Sequence, residues 1–318
     1  MKKSLPAIAI LMAFCLSPGA RCGEAALPKI NLLCTTFPIR QLVKNVVDGV
    51  DGIRVEILIP SDLGCPHDYA LTPAEMGKLT AADVLVTNGL GMEEFLDDRA
   101  IRLNPEIKLI DSSDGIGNLL TYGRGGSEER GRTEDRDGDG HEHGEDDINP
   151  HLYASPALSA KLADNIAAAL GKIDRANAER YAANAGRYRE NMERLARETR
   201  ELGSRLANRR IVQPHGVFDY LARDLGLEIV GTLQPHGGEL SAADMRELLD
   251  IIGKERPGAL FSEPQYPDKA GRTLSRETGI GLFVLDPASA GPDDAPLDHF
   301  EKVMRKNLET IAAALGEK

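Results

Sequence analysis

Asp174 to Asn208 reads DRANAERYAANAGRYRENMERLARETRELGSRLAN, and the spacing inside it decides the architecture. Tyr181, Ala185, Tyr188, Met192, Leu195, Thr199, Leu202 and Leu206 recur at alternating four- and three-residue steps, which puts them on one face of a single helix. From Asp174 to Asn208 such a helix would run ~50 Å, at 1.5 Å per residue. Its Tyr, Met and Leu stripe is a core contact rather than a cofactor box. The periodicity reaches back to Ser155 with an interruption at Gly171-Lys172-Ile173-Asp174, so residues 155–208 form a helical segment between two other blocks.

Each flanking block alternates strand and helix. In the first (residues 26–154), the runs Ile30-Leu33, Val55-Ile59, Val84-Thr87 and Lys108-Ile110 alternate with helical patterns at Ile39-Asp48, Pro73-Leu79 and Met92-Arg99. In the second (residues 209–318), Arg210-Gln213, Glu228-Thr232, Ala259-Ser262 and Leu282-Leu285 alternate with helices near Val217-Leu225, Ala242-Gly253, Lys269-Thr278 and Leu297-Leu315. Such alternation builds a parallel sheet covered by helices. The expected fold is α/β, two lobes joined by one long rigid helix that opposes large hinge closure.

Residues 1–25 read as a signal peptide. Lys2 and Lys3 precede the apolar run Leu5-Leu16, and small residues follow up to Ala25. The run is too short to span a bilayer, and no later stretch approaches the ~20 apolar residues a membrane helix needs. Arg21 stands where a lipid-anchored Cys22 would want a small neighbour, so the expectation is an exported, periplasmic chain without an anchor. Cleavage at Ala25 leaves Cys34 and Cys65, a possible single disulfide but no disulfide framework. The formal charge of −12, with no tryptophan and no basic patch, excludes a nucleic-acid binder and suits a protein that meets cations.

Gly123 to Asp147 (GRGGSEERGRTEDRDGDGHEHGEDD) contains no apolar residue, so it cannot bury itself and is expected to be a flexible acidic loop. Its stretch from Asp135 to Asp146 partly matches a calcium loop, but Glu142 replaces the apolar eighth residue, Asp146 replaces the bidentate Glu, and no amphipathic helices flank it. His141 and His143 sit among carboxylates there and could scavenge zinc loosely.

Four of the seven histidines directly follow a proline: His67, His151, His215 and His236. Proline fixes its own φ and disfavours helix before it, so these histidines sit on set turns. His67 follows the second strand by a short loop, and His151 closes the acidic loop. His215 and Asp286 directly follow strand runs of the second block, and in open α/β sheets ligands bind at that carboxyl edge. Three neutral imidazoles and one carboxylate suit tetrahedral zinc. His67, His151, His215 and Asp286 are therefore the candidate ligands. Glu263, also at a strand end, competes with Asp286 or supports the site from behind. His236, in Gln234-Pro235-His236-Gly237-Gly238, reads as a loop residue lining the region between the lobes, and His299 as solvent-facing.

The segments Pro66-His67-Asp68-Tyr69-Ala70-Leu71-Thr72-Pro73, Asn88-Gly89-Leu90-Gly91-Met92-Glu93, Asn149-Pro150-His151-Leu152-Tyr153, Pro214-His215-Gly216-Val217-Phe218-Asp219-Tyr220-Leu221, Ser262-Glu263-Pro264-Gln265 and Leu285-Asp286-Pro287 resemble the metal-specific solute-binding proteins of bacterial ABC importers. The resemblance covers nearly the whole chain after residue 25. It implies a metal in the cleft between lobes, with delivery to a membrane permease and, further on, a metallochaperone as a possible partner of a monomeric carrier. A histidine as third ligand, His215 here, points to zinc, whereas manganese and iron members usually carry Glu. The chain departs from the pattern at Asn149 and Tyr153, where the family usually has Asp and Trp. Beside this zinc-carrier reading stand a manganese- or iron-binding member of the same family and, from another class, a secreted zinc hydrolase. The hydrolase would need an open water position and a general base, for which Glu263 is the obvious residue. No His-Glu-x-x-His, Gly-x-Ser-x-Gly or phosphate loop supports an enzyme.

Overall fold

Strands Ile30–Cys34 (β1), Ile53–Ile57 (β2), Val84–Thr87 (β3) and Lys108–Asp111 (β4) form a parallel sheet in the order β2-β1-β3-β4. Parallel strands need crossovers, supplied here by helices Phe37–Val46 (α1), Pro73–Ala81 (α2) and Asp98–Ile101 (α3). After helices Pro156–Ile173 (α4) and Ala178–Arg205 (α5), the scheme repeats. Strands Arg210–Gln213 (β5), Glu228–Thr232 (β6), Ala259–Ser262 (β7) and Leu282–Val284 (β8) pair in parallel in the order β6-β5-β7-β8. Helices Asp219–Leu225 (α6), Ala242–Glu255 (α7), Lys269–Thr278 (α8) and His299–Leu315 (α9) connect and cover them. The protein is thus two α/β lobes, each with a four-stranded parallel sheet flanked by helices, with one long helix between them. The computed structural model describes residues 30–63, 66, 69–96, 98–122, 148–233, 240–266 and 268–318. Outside these lie the signal-like N-terminus, Cys65, His67, the acidic loop with its calcium-like stretch, His141 and His143, and His236. No helix among the described residues is long and apolar enough to cross a membrane.

The period-two alternation of the strands sorts their side chains into separate cores. Leu33 and Leu85 face outward, to a small core under α2 with Leu58, Ile59 and Leu79. Val212 and Leu260 do the same in the second lobe, with Leu248, Ile252 and Leu274 from α7 and α8. The opposite faces, Leu32, Cys34, Val84 and Val86 in one lobe and Ile211, Ala259 and Phe261 in the other, join a single large core that runs through the helices between them. Cys34 in it is a free, buried thiol.

α5 carries the stripe read from the sequence: Tyr181, Ala185, Tyr188, Met192, Leu195, Thr199 and Leu202 are all buried. Its first half holds the first lobe, through Asn184 Nδ2 donating to Val46 O and Asp48 O at 2.8 and 2.9 Å. Near its end Gly203 lies against Leu225 of α6, so close that a Cβ would fall 2.1 Å from Leu225 O. The helix begins at Ala178 rather than Asp174 because Asp174 turns the chain, its carboxylate accepting from Asn177 Nδ2 and Tyr181 OH. Its 28 residues span ~42 Å. α4 folds back along it, with Ser159 Oγ and Tyr188 OH 2.9 Å apart.

The helix expected over Met92-Arg99 is a correction. Gly89, Leu90 and Gly91 all have positive φ, and Met92 to Phe95 form turns, with helix only from Asp98 to Ile101. The reason is Glu93, whose carboxylate accepts the backbone N–H groups of Asn88 and Gly89 at 2.6 and 3.0 Å and so holds the segment against the sheet end.

Candidate metal centre

In both sheets the strand order reverses between the first strand and the third, which opens a crevice beyond their carboxyl ends. In the second lobe, β5 and β7 flank that crevice. His215 follows β5 by one residue after Gln213, and Glu263 directly follows Ser262 of β7. His215 Nδ1 and Glu263 Oε1 lie 2.6 Å apart, with side chains 15% and 1% exposed. Glu263 Oε1 thus stands against Nδ1, and His215 Nε2, on the far side of the ring, is buried without a hydrogen-bond partner. Buried polar atoms are almost always satisfied, and each orphan costs ~1–3 kcal/mol. A buried ring nitrogen left open in the crevice fits a cation.

The second imidazole arrives from the other side. His151 is fully buried on a short turn that leads into Leu152–Ala154, and its ring meets that of His215 edge-on at 5.5 Å between centroids. Asn149 Oδ1 lies 2.8 Å from His151 Nδ1 and accepts the His151 backbone N–H at 3.0 Å. An amide oxygen only accepts, so Nδ1 carries a proton, and in the neutral ring the lone pair is then on Nε2, the state a metal ligand needs. Tyr122 and Tyr153 pack edge-on to the same ring at 6.3 and 6.0 Å, Tyr153 standing where the family pattern has Trp.

Asp286 follows Leu285 beyond β8. Its backbone is clamped by α9, Asn307 Oδ1 accepting from Asp286 N at 3.0 Å and Asn307 Nδ2 donating to Asp286 O at 2.6 Å. Its Oδ1 accepts from Ala288 N at 2.8 Å. Asp286 lines an open groove between the lobes together with Asp62, Pro264, Gln265 and His299. His299 is a second correction. It is half-buried rather than solvent-facing: its ring packs edge-on against Phe37 of the first lobe at 5.4 Å, with Nε2 buried, because the first turn of α9 lies against α1. Burial holds its pKa below the usual histidine value, against the pull of Asp286 and Asp298.

Among the described residues no three His, Cys, Asp or Glu side chains lie close enough together to hold a metal ion. The structure brings His151 to His215 and His215 to Glu263. It sets Asp286 in the adjoining groove, and His67 and His236 lie outside the described residues. The first lobe's equivalent crevice, beyond β1 and β3, is filled by Glu93. Its carboxylate accepts from Thr35 Oγ1, Asn88 N and Gly89 N, and burial pushes its pKa up to about 7. Sequence reasoning missed the polar groups behind the imidazoles. Asn149 Nδ2 donates to Gly216 O at 2.7 Å and Asp219 Oδ2 at 2.8 Å, Gln213 Nε2 donates to Asp219 Oδ1 at 2.7 Å, and Tyr220 OH donates to Asn149 O at 2.8 Å. Asp219 and Tyr220 were visible as the polar residues four and five places after His215, but such partners announce no ligand spacing of their own.

The chain is 29% identical to the zinc-binding lipoprotein AdcA of Streptococcus pneumoniae serotype 4, over 89% of its own length and 55% of that protein. It thus spans about half the length of the first curated relatives it matches. It is also 29% identical to the iron-binding protein YfeA of Yersinia pestis, over 89% of its length and 86% of that protein. Among solved structures, the solute-binding protein FpvC of Pseudomonas aeruginosa in complex with Ni2+ superposes with a TM-score of 0.74 at 28% identity, covering 91% of this chain and 98% of that one. The model of the ZnuA family, zinc-uptake complex component A, periplasmic, matches residues 32–314, and the chain belongs to that family.

Proposed function

We propose that this protein is a periplasmic zinc carrier, which takes Zn2+ into the cleft between its lobes and hands it to the permease of an ABC importer. The observation that carries the reading is the buried His215 Nε2, left without a hydrogen-bond partner, beside a His151 ring whose Nδ1 is held by Asn149 Oδ1. The ligands are His67, His151, His215 and Asp286, with Glu263 against His215 Nδ1 orienting that ring. Three imidazoles and one carboxylate make a closed tetrahedral set for zinc, in which no position is left for a reacting water. With all four in place the site would carry zinc rather than catalyse on it, in keeping with a family of binding components.

The relatives supply a second metal reading, since YfeA is named for iron and FpvC is seen with Ni2+. An imidazole-rich donor set favours zinc over manganese, which prefers hard carboxylate oxygens; imidazole also suits iron and nickel, so the choice among those rests on competition. Ligands drawn from both lobes also couple occupancy to the arrangement of the lobes, which gives a permease something to distinguish between loaded and empty carrier.

The test is competition titration of the mature protein with zinc, manganese, iron and copper against a chelator. Zinc is expected to bind one tight site and to outcompete manganese and iron. His215→Ala should weaken zinc binding at least ~100-fold, more than the loss of an outer-shell partner costs. Deleting Gly123 to Asp147 should leave the tight site intact and remove only weak extra equivalents. Unchanged tight binding in His215→Ala would overturn the ligand assignment.

A further inference from the structure

We infer that Asn149 is a positioning residue that sets the orientation of His151 and locks the His151 loop onto the His215 loop. The inference rests on the zinc site proposed above and adds to it the residue that holds the two imidazoles at a fixed distance. Asn149 uses every polar atom of its side chain. Oδ1 takes both N–H groups of His151, at 2.8 and 3.0 Å, and Nδ2 gives one proton to Gly216 O at 2.7 Å and the other to Asp219 Oδ2 at 2.8 Å. Gly216 is the residue next to His215, and Asp219 is itself fixed by Gln213 Nε2 at 2.7 Å from the end of β5. The backbone of Asn149 is held by Tyr220 OH from the second lobe, while the next carbonyl, Pro150 O, accepts from Asn88 Nδ2 of the first at 2.9 Å. The approach is tight: a Cβ on Gly216 would fall 3.2 Å from Asn149 Nδ2.

Only a side chain with one acceptor and two donors can fill this role beside Asp219. An aspartate at position 149 could still accept from His151, but it would turn a second acceptor toward Gly216 O and Asp219 Oδ2, where two donors now stand. Exchanging the pair restores one bond. An amide at position 219 could donate through its nitrogen to a carboxylate at position 149, while its oxygen still accepts from Gln213 Nε2.

The test is a double-mutant cycle on the full mature chain, with Asn149→Asp, Asp219→Asn and both together. Zinc affinity is read by chelator competition, and the melting temperature is read on metal-free protein. Asn149→Asp should weaken zinc binding ~10–100-fold, the usual range for a group behind a ligand. In the Asp219→Asn background the same change should cost no more than about threefold, and the metal-free melting temperatures, which a merely structural coupling would move in parallel, should not follow that pattern. Asn149→Ala serves as the variant with neither acceptor nor donor, and should weaken zinc binding while the metal-free melting temperature still reports a folded chain. An equal loss from Asn149→Asp in both backgrounds, or no loss, overturns the inference. His215→Ala run alongside separates the two readings: tight binding there sinks the zinc site itself, whereas lost binding there with an indifferent Asn149 sinks only the positioning role.

Discussion

Glu93 shows how one side chain shapes both a loop and a pH response. Its three hydrogen bonds favour the carboxylate, but burial outweighs them and Asp111 adds a like charge, so its pKa rises from 4.5 to about 7. The folded value lies above the unfolded one, so folding favours the protonated form. The stabilisation from Glu93 is full below about pH 4.5, fades as pH rises, and is gone above about 7. Thermal melts across that window should show a decline in stability that Glu93→Gln removes; an identical slope in the variant would refute this. Residues of this kind explain what was illegible in the sequence. His215 and Asp286 could be placed just beyond strands because the strand runs end visibly before them. Asn149, Asp219 and Glu93 could not be assigned, because a hydrogen-bond partner is chosen by three-dimensional approach and leaves no periodic trace.

At the scale of elements, hydrophobic period served well wherever an element buries a continuous face. The α5 stripe and the inner strands β1, β3, β5 and β7 are of that kind, and those strands sort their side chains between inner and outer cores. The period misled between Met92 and Arg99, where Gly89 and Gly91 with φ of +87° and +81° and the Glu93 bonds override it. A Cβ at Gly89 would lie 2.1 Å from Asp111 Oδ1, so this turn admits glycine alone. The same close packing tests the placement of α5. Gly203→Ala adds a methyl 2.1 Å from Leu225 O. Overpacking of this kind costs ~1–3 kcal/mol, beyond the ~1 kcal/mol that alanine gains over glycine within a helix. Urea unfolding should find the variant less stable than the parent; equal or greater stability would mean that α5 and α6 are not in contact there.

The whole molecule is held as two lobes that share one core, and its outer seam is polar. Arg40 of α1 reaches Asp293 at 3.0 Å, Lys44 reaches Ala295 O at 2.5 Å, and Asn45 reaches Leu297 O at 3.0 Å, all in the segment between β8 and α9. Ser61, beyond β2, donates to the same Asp293 at 2.9 Å. Phe37 lies so close to Gly291 that a Cβ there would meet its ring at 2.3 Å. A shared apolar core, a continuous helix and these contacts oppose hinge bending. Crystals of metal-free and zinc-loaded protein should differ by small shifts and loop ordering, and a lobe closure of tens of degrees would contradict that expectation. The central claim is the location of the metal, and anomalous diffraction at the zinc edge on zinc-loaded crystals measures it directly. One ion is expected in the cleft, bonded to His67, His151, His215 and Asp286, with Zn–N distances of ~2.0–2.1 Å. An ion outside the cleft, or one that touches neither His151 nor His215, would contradict it.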